Sequence, residues 1–266
     1  HPQFTDLMNW LAKDRFDKMR LSISSVRAGT ITKEMCEILR KRGSKSITIA
    51  IESGSERMRN IINKKLSEDE IISAIKYASE GGLQGMKLYG MLGLPYENEA
   101  DIQKTLDLLI KLKKGKYNLR LCFGVSTFVP KAHTPFQWEG VSLTAKKNLK
   151  RLTKELRKAG VEVRQESYGW SIIQALLSRS DRRIAPVIYQ LRNSQNSLGD
   201  WKRIYHAILN REIETEDLFP INLPSPPKWE EVIFQQWDTS TILPWEHLEG
   251  PLNKETLKKH RVSAID

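Results

Sequence analysis

The sequence predicts an α/β fold built on a parallel sheet, followed by a smaller, mostly helical C-terminal region. Three observations carry this. Strand-like apolar runs alternate with helical patterns from Lys18 to Ser167. The runs read as continuous, as strands do when both faces are covered. The residues that break them, glycines, acids and prolines, gather at their carboxyl ends, where parallel α/β folds collect ligands.

Taken in order, Lys18 to Val26 reads as a strand and Thr32 to Lys41 as a helix. "SITIAIES" (Ser46 to Ser53) is a strand, and Ser55 to Ile62 a short helix. Ser67 and Glu70 form a capping-box pattern that opens a helix to Ala78, with Ile71, Ile72 and Ile75 at helical spacing. Gly85 to Gly93 is the next strand. Glu99 to Lys113 is a helix with Ile102, Leu106, Leu109 and Ile110 on one face. Asn118 to Val129 is a strand, Thr144 to Lys158 a long basic helix, and Val161 to Ser167 a fifth strand candidate. After about Gly169 the character changes. Residues 170–193 and 200–209 read as helices, and 218–232 is Pro-rich and irregular. The expected division is therefore 1–168 for the sheet-bearing part and 169–266 for a helical and irregular accessory part.

The chain has 266 residues, 39% hydrophobic and 28% charged, the balance of an ordinary globular protein. No apolar run approaches the ~20 residues that span a bilayer, and no signal peptide opens the chain. Its first residue is His1, so a piece of a longer protein is the expectation. Two cysteines, Cys36 in a helix pattern and Cys122 in a strand, fit a reducing cytoplasm and read as packing residues. They form no Cys-x-x-Cys and no His–Cys pairing, so no metal site is expected in this chain. The net charge of +11 could draw nucleic acid. Basic residues cluster at 40–45, 111–116 and 146–158. Leu149, Leu152 and Leu156 point one side of the last helix inward, and no aromatics interleave as on a stacking platform. The plainer reading, solvated helix faces, is favoured, and nucleic acid is not the favoured partner.

The strand ends hold the candidate site residues. Arg27 ends the first strand beside a glycine turn and can clamp a carboxylate, or be ordinary surface. Glu52-Ser53-Gly54-Ser55 ends the second. Gly54 allows a sharp turn and close approach, Ser55 is a plausible helix cap, and Glu52 can accept hydrogen bonds from hydroxyls or an amine. The alternative is a capped turn in which Glu52 pairs with Arg57. Gly90 and Gly93 interrupt the third strand, before Leu94, Pro95 and Glu97. Such a shelf suits a flat ring such as adenine, or is a barrel corner. After the fourth strand, Pro130 and Pro135 bracket Lys131 and His133, candidates for a catalytic role or for polar surface.

With these residues in view, the chain resembles the radical SAM superfamily. The resemblance rests on the strand ending Glu-Ser-Gly-Ser and on Gly-Met-Leu-Gly-Leu-Pro-x-Glu at 90–97. More narrowly it resembles an uncharacterised subgroup often fused to a cobalamin-binding-like domain. "MKLYGMLGLPYE", "FVPKAHTPFQW", "YGWSIIQALLSRSDRR" and "LPWEHLEGPLNKETL" also match, so it covers most of the chain. It implies a partial parallel (β/α)6 barrel, of which this chain holds about strands 3–6. It implies S-adenosylmethionine (SAM) and a 4Fe-4S cluster, with cobalamin a further candidate in the parent protein. The activity implied is reductive cleavage of SAM to a 5′-deoxyadenosyl radical, acting on an unknown substrate with an electron donor such as flavodoxin or ferredoxin. Glu52 to Ser55 would border the ribose and methionine, Gly90, Gly93 and Leu94 the adenine, and Glu97 would close the motif. Arg27 would meet the SAM carboxylate, and Lys131 and His133 would face substrate.

The family's Cys-x3-Cys-x2-Cys motif is absent from this sequence. The expectation is an N-terminal truncation, with the cluster ligands upstream of residue 1. The alternatives are a non-catalytic homologue that binds a nucleotide or SAM, and a basic RNA-binding module.

Overall fold

The computed structural model describes residues 3–213 and 224–264. The chain forms two compact units. The first holds residues 1–92, 96–126 and 147–165, and the second 93–95, 127–146 and 166–266. The loops at 93–95 and 127–146, within the expected sheet-bearing part, thus group with the C-terminal residues.

The first unit opens with α1 (Phe4–Leu11) and α2 (Lys33–Lys41). Then follow β1 (Ser46–Glu52), α3 (Glu56–Ile61), α4 (Glu68–Glu80), β2 (Gly85–Leu92), α5 (Glu99–Lys114), β3 (Arg120–Thr127), α6 (Ala145–Lys158) and β4 (Glu162–Gln165). The strands form one sheet in chain order, β1 parallel to β2 and β3 parallel to β4. This is the α/β arrangement that the alternation predicts, consistent with part of a (β/α) barrel.

Each helix starts where its cap dictates. Thr32, Ser55 and Ser67 accept hydrogen bonds from the amides three residues on, and Ser67 with Glu70 completes the capping box. Asn98 and Asp101 build a second box at the head of α5. Ile71 and Ile75 of α4, Ile102, Leu106 and Leu109 of α5, and Leu149, Leu152 and Leu156 of α6 are all buried. Each such side chain contributes on the order of 2 kcal/mol of transfer free energy.

Two expectations are corrected. Residues 18–26 are not a strand; only Val26 pairs, through an isolated parallel bridge to Ile49. The backbone of the preceding stretch is committed elsewhere. Leu21 N donates to Arg42 O, and Ser44 Oγ donates to Leu21 O. Arg42, read as part of a surface cluster, is buried and donates to Leu11 O (2.8 Å) and Asp17 (2.6 Å). Nor are β1 and β2 covered on both faces. In "SITIAIE" the isoleucines alternate with small or polar residues, and burial alternates with them. Ile47, Ile49, Ile51, Met86 and Leu88 are buried, whereas Thr48, Ala50, Lys87, Tyr89 and Met91 line a more open face.

The second unit contains α7 (Tyr168–Arg179), α8 (Ala185–Leu191), α9 (Leu198–Leu209), α10 (Trp229–Ile233) and α11 (Lys254–Ser263). The helix expected over 170–193 breaks after Arg179, where a 3-10 turn at Arg182–Ile184 intervenes. Part of the Pro-rich stretch, 218–223, lies outside the described residues. The core includes Ile172, Leu176, Val187, Tyr205, Trp229 and Ile233. Arg179 is buried in it, and among the described residues no carboxylate is bonded to it. It donates to the carbonyls of Val232 (2.7 Å), Ile233 (3.1 Å) and Gln235 (2.9 Å) at the end of α10, and stacks 3.8 Å from the Trp237 ring centroid. Burial pushes its pKa down to about 10, while the negative end of the helix receives its charge.

Candidate functional site

The carboxyl end of β1 is irregular. The pairing slips between Ala50 and Glu52, so Glu52 sits opposite Gly90. Glu52 has a φ of +62°, a left-handed conformation that costs a non-glycine residue on the order of 1 kcal/mol or more. Its carboxylate meets Lys64 Nζ at 2.9 Å, both side chains partly exposed. Lys64 lies just beyond α3 between Asn63 (φ +53°) and Lys65 (φ +45°). Arg27 is exposed, and its Nη2 donates to Lys65 O at 3.2 Å. Arg27 and Glu52 thus reach the same loop. Lys64 was not among the residues expected from sequence. The signal was the Asn-Lys-Lys run after a short helix, since asparagine tolerates the left-handed turn that swings Lys64 back to Glu52.

The next three residues of the turn face the other way. Ser53 and Ser55 are buried. Ser55 Oγ donates to Asp101 Oδ1 at 2.6 Å, and Gly54 N donates to Thr105 Oγ1 at 3.0 Å. A Cβ on Gly54 would lie 2.4 Å from Thr105 Cα and 2.9 Å from Lys104 O. This glycine therefore lets the turn seat on the α5 backbone. Arg57 does not pair with Glu52; it binds Asp101 and donates to Tyr96 O at 2.7 Å. Burial alone would raise the Asp101 pKa. Hydrogen bonds from Arg57, Ser55 and Asn98, with the charge of Arg57, outweigh it and hold the carboxyl below its usual range. Arg59, fully buried, ties the turn down from beneath by donating to Leu66 O (2.6 Å) and Ser53 O (2.9 Å).

Gly90 also has a packing cause. A Cβ there would lie 2.8 Å from the Phe123 ring and 2.9 Å from Glu52 O. One residue along, on the opposite face, Tyr89 covers Gly124, whose Cβ would lie 2.7 Å from the tyrosine ring. The outer part of Tyr89 stays exposed, at 46%. The open face of the sheet thus carries a flat ring laid on glycine, and β1 ends in the Glu52 carboxylate. Glu97 is half-buried and adds to the negative potential at Arg57.

Gly93 and Leu94 belong to the second unit. Gly93 has a φ of +78°, and its Cβ would lie 3.1 Å from Ala145 Cβ; Leu94 is buried. Lys131 and His133 belong there too. Lys131 is exposed as a whole and donates to Ser178 Oγ at 3.1 Å, and partial desolvation of its ammonium lowers its pKa. His133 has a φ of +57°, and its N–H donates to Gln137 Oε1 at 3.0 Å. The same buried oxygen accepts the Trp245 indole N–H at 2.7 Å, so Gln137 joins two distant segments. His133, Gln137, Trp245, Glu246 and Lys254 line part of a cavity of about 380 Å³.

Among the described residues no group of three or more His, Cys, Asp or Glu side chains is placed to hold a metal ion. Cys36 and Cys122 are both buried, and burial pushes the Cys36 thiol up to about 12. Two separated, protonated thiols do not supply the three thiolates of a radical SAM cluster. No helix among the described residues is long and apolar enough to cross a membrane.

An uncharacterized protein of Methanocaldococcus jannaschii, MJ0966, is 34% identical over 185 residues, covering 70% of this chain and 40% of its own length. A second uncharacterized protein of that organism, MJ1620, is 28% identical over 103 residues, covering 38% of this chain and 20% of its own length. The chain therefore spans well under half the length of these relatives. Residues 1–109, which hold β1, β2 and the Glu52 turn, match the family model described as Radical SAM superfamily.

Proposed function

We propose that this chain forms part of the S-adenosylmethionine-binding wall of a radical SAM enzyme, with the open face of β1 and β2 as the contact surface. One observation carries the reading. The sheet is buried on one face, while the other leaves Tyr89 exposed, and β1 ends in Glu52, held in a left-handed conformation beside Lys64. Residues kept in costly conformations at strand ends are drawn to functional sites.

The residues fit the cofactor chemically. Glu52 accepts hydrogen bonds from ribose hydroxyls or an ammonium, the Tyr89 ring offers a face to adenine, and Lys64 and Arg27 offer charge to a carboxylate. Ser53, Gly54 and Ser55 act one step back, by seating the turn on α5 so that Glu52 is aimed. When bound, SAM would supply the adenosyl group from which the family's radical chemistry starts. Lys131 and His133 are proposed to meet substrate, and an external electron donor and cluster ligands outside residues 1–266 are part of the proposal. Residues 1–168 are proposed as part of the barrel.

Isothermal titration of the chain with S-adenosylhomocysteine tests this reading. Glu52→Gln and Tyr89→Ala should each weaken binding about tenfold, the effect of losing one charged hydrogen bond or one stacked ring, without lowering the melting temperature. Absence of saturable binding, or an affinity in both variants equal to that of the parent, refutes it.

A further inference from the structure

Two of the basic clusters, thirty residues apart in the chain, become one surface in the first unit. The buried side of α6 is Leu149, Leu152, Thr153 and Leu156. Its opposite side carries Lys147, Lys150, Lys154 and Lys158, at three- and four-residue spacings, all exposed. Residues so spaced stand in a row about 5–6 Å apart. Arg151, within the row, is tied to Glu99 and Gln103 at the head of α5. At the other end, a Cβ on Gly160 would lie 3.6 Å from Lys113 Cε, so the ends of α5 and α6 adjoin. Lys113 thereby extends the row, and Lys114 and Lys116, both exposed, follow it in the chain. None of these seven lysines makes an ion pair among the described residues, and Glu155, at the flank of α6, is the acid that stands nearest them in the helix.

We propose that this α5–α6 face binds the phosphate backbone of a nucleic-acid duplex. The row of point charges supplies what a repeating anion needs. It lacks what a protein partner needs. No large apolar side chain is strongly exposed on α6 or at the end of α5, so there is no aromatic or aliphatic anchor for a protein interface. With no aromatic in the row, it offers nothing for unpaired bases to stack on, which favours a duplex over a single strand. The sequence alone favours solvated helix faces; the adjoining of two clusters and the lack of acidic partners are what the structure adds.

The test is fluorescence anisotropy with a labelled twenty-base-pair RNA duplex, measured across a salt series. Four phosphate contacts predict that log K falls against log salt with a slope of about −3 to −4. Lys150→Glu, Lys154→Glu and Lys158→Glu together should weaken binding at least tenfold and flatten the slope by about one per lysine. These positions are exposed, and circular dichroism checks that the variant stays folded. The control reverses Lys13, Lys18 and Lys45, exposed residues on segments before β1. Equal losses in control and α6 variants overturn the proposal, because net charge alone then explains the binding. Polyglutamate binding as tightly as the duplex overturns it in favour of an acidic protein, and no binding at low salt overturns it outright.

Discussion

Replacing Gly54 by alanine separates the two roles a glycine can play at the end of β1. If it were there for close approach of a ligand, the added methyl group would leave the protein stable and block binding. The structure places that methyl 2.4 Å from Thr105 Cα and 2.9 Å from Lys104 O, both backbone atoms of α5 that no rotamer change can move. Overpacking of this kind costs about 1–3 kcal/mol. If α5 shifts to relieve it, the 3.0 Å bond from Gly54 N to Thr105 Oγ1 is strained as well, worth about 1 kcal/mol. A loss of about 3 kcal/mol lowers the melting temperature by roughly 10 °C in a domain of this size. Thermal unfolding followed by circular dichroism measures it. Gly199→Ala is the control: it lies in α9 with no atom closer than 3.5 Å to the added Cβ, and should be neutral or stabilise by a few tenths to 1 kcal/mol. A Gly54→Ala protein as stable as the parent refutes the packing argument.

Asp101 gives a pH-dependent prediction. Its folded pKa lies below its unfolded value, so the unfolded chain binds more protons in the window between them. The stabilisation is complete above about pH 4, the unfolded value, and is lost as pH falls through the folded one. Asp101→Asn should cost on the order of 2 kcal/mol at pH 7 and flatten the acid limb of the stability curve; an unchanged acid limb counts against the assignment. Gln137→Leu should destabilise the second unit by about 2–4 kcal/mol, because it strands the buried Trp245 indole N–H and releases the His133 amide. Urea denaturation followed by tryptophan fluorescence reads that loss, and a midpoint within error of the parent would contradict it.

Much of the first unit is legible in the sequence because the local signals agree. Caps at Ser55, Ser67 and Asn98 sit where the apolar period changes, so helices begin at the expected residues. What is not legible depends on long-range pairing. Residues 18–26 have strand-like composition, but Arg42 and Ser44 engage the chain around them and leave Val26 alone to meet the sheet. The Glu-Ser-Gly-Ser turn is visible as a special turn. That Gly54 seats on α5 while the Glu52 carboxylate meets Lys64 depends on a one-residue slip against β2 and on the left-handed backbone of Glu52, which no local pattern encodes. Tyr89 was hidden for a related reason: its partner is Gly124, and a flat ring over a glycine is a property of two strands together.

The central claim, that the open end of β1 and β2 is a cofactor wall, is tested most directly by hydrogen–deuterium exchange with and without saturating S-adenosylhomocysteine. The account predicts added protection at residues 50–53 and in the 62–66 loop, where Glu52, Lys64 and Arg27 meet, with α7 to α11 unchanged. Protection confined to α7–α11, or no change anywhere at a concentration that saturates binding, would contradict it.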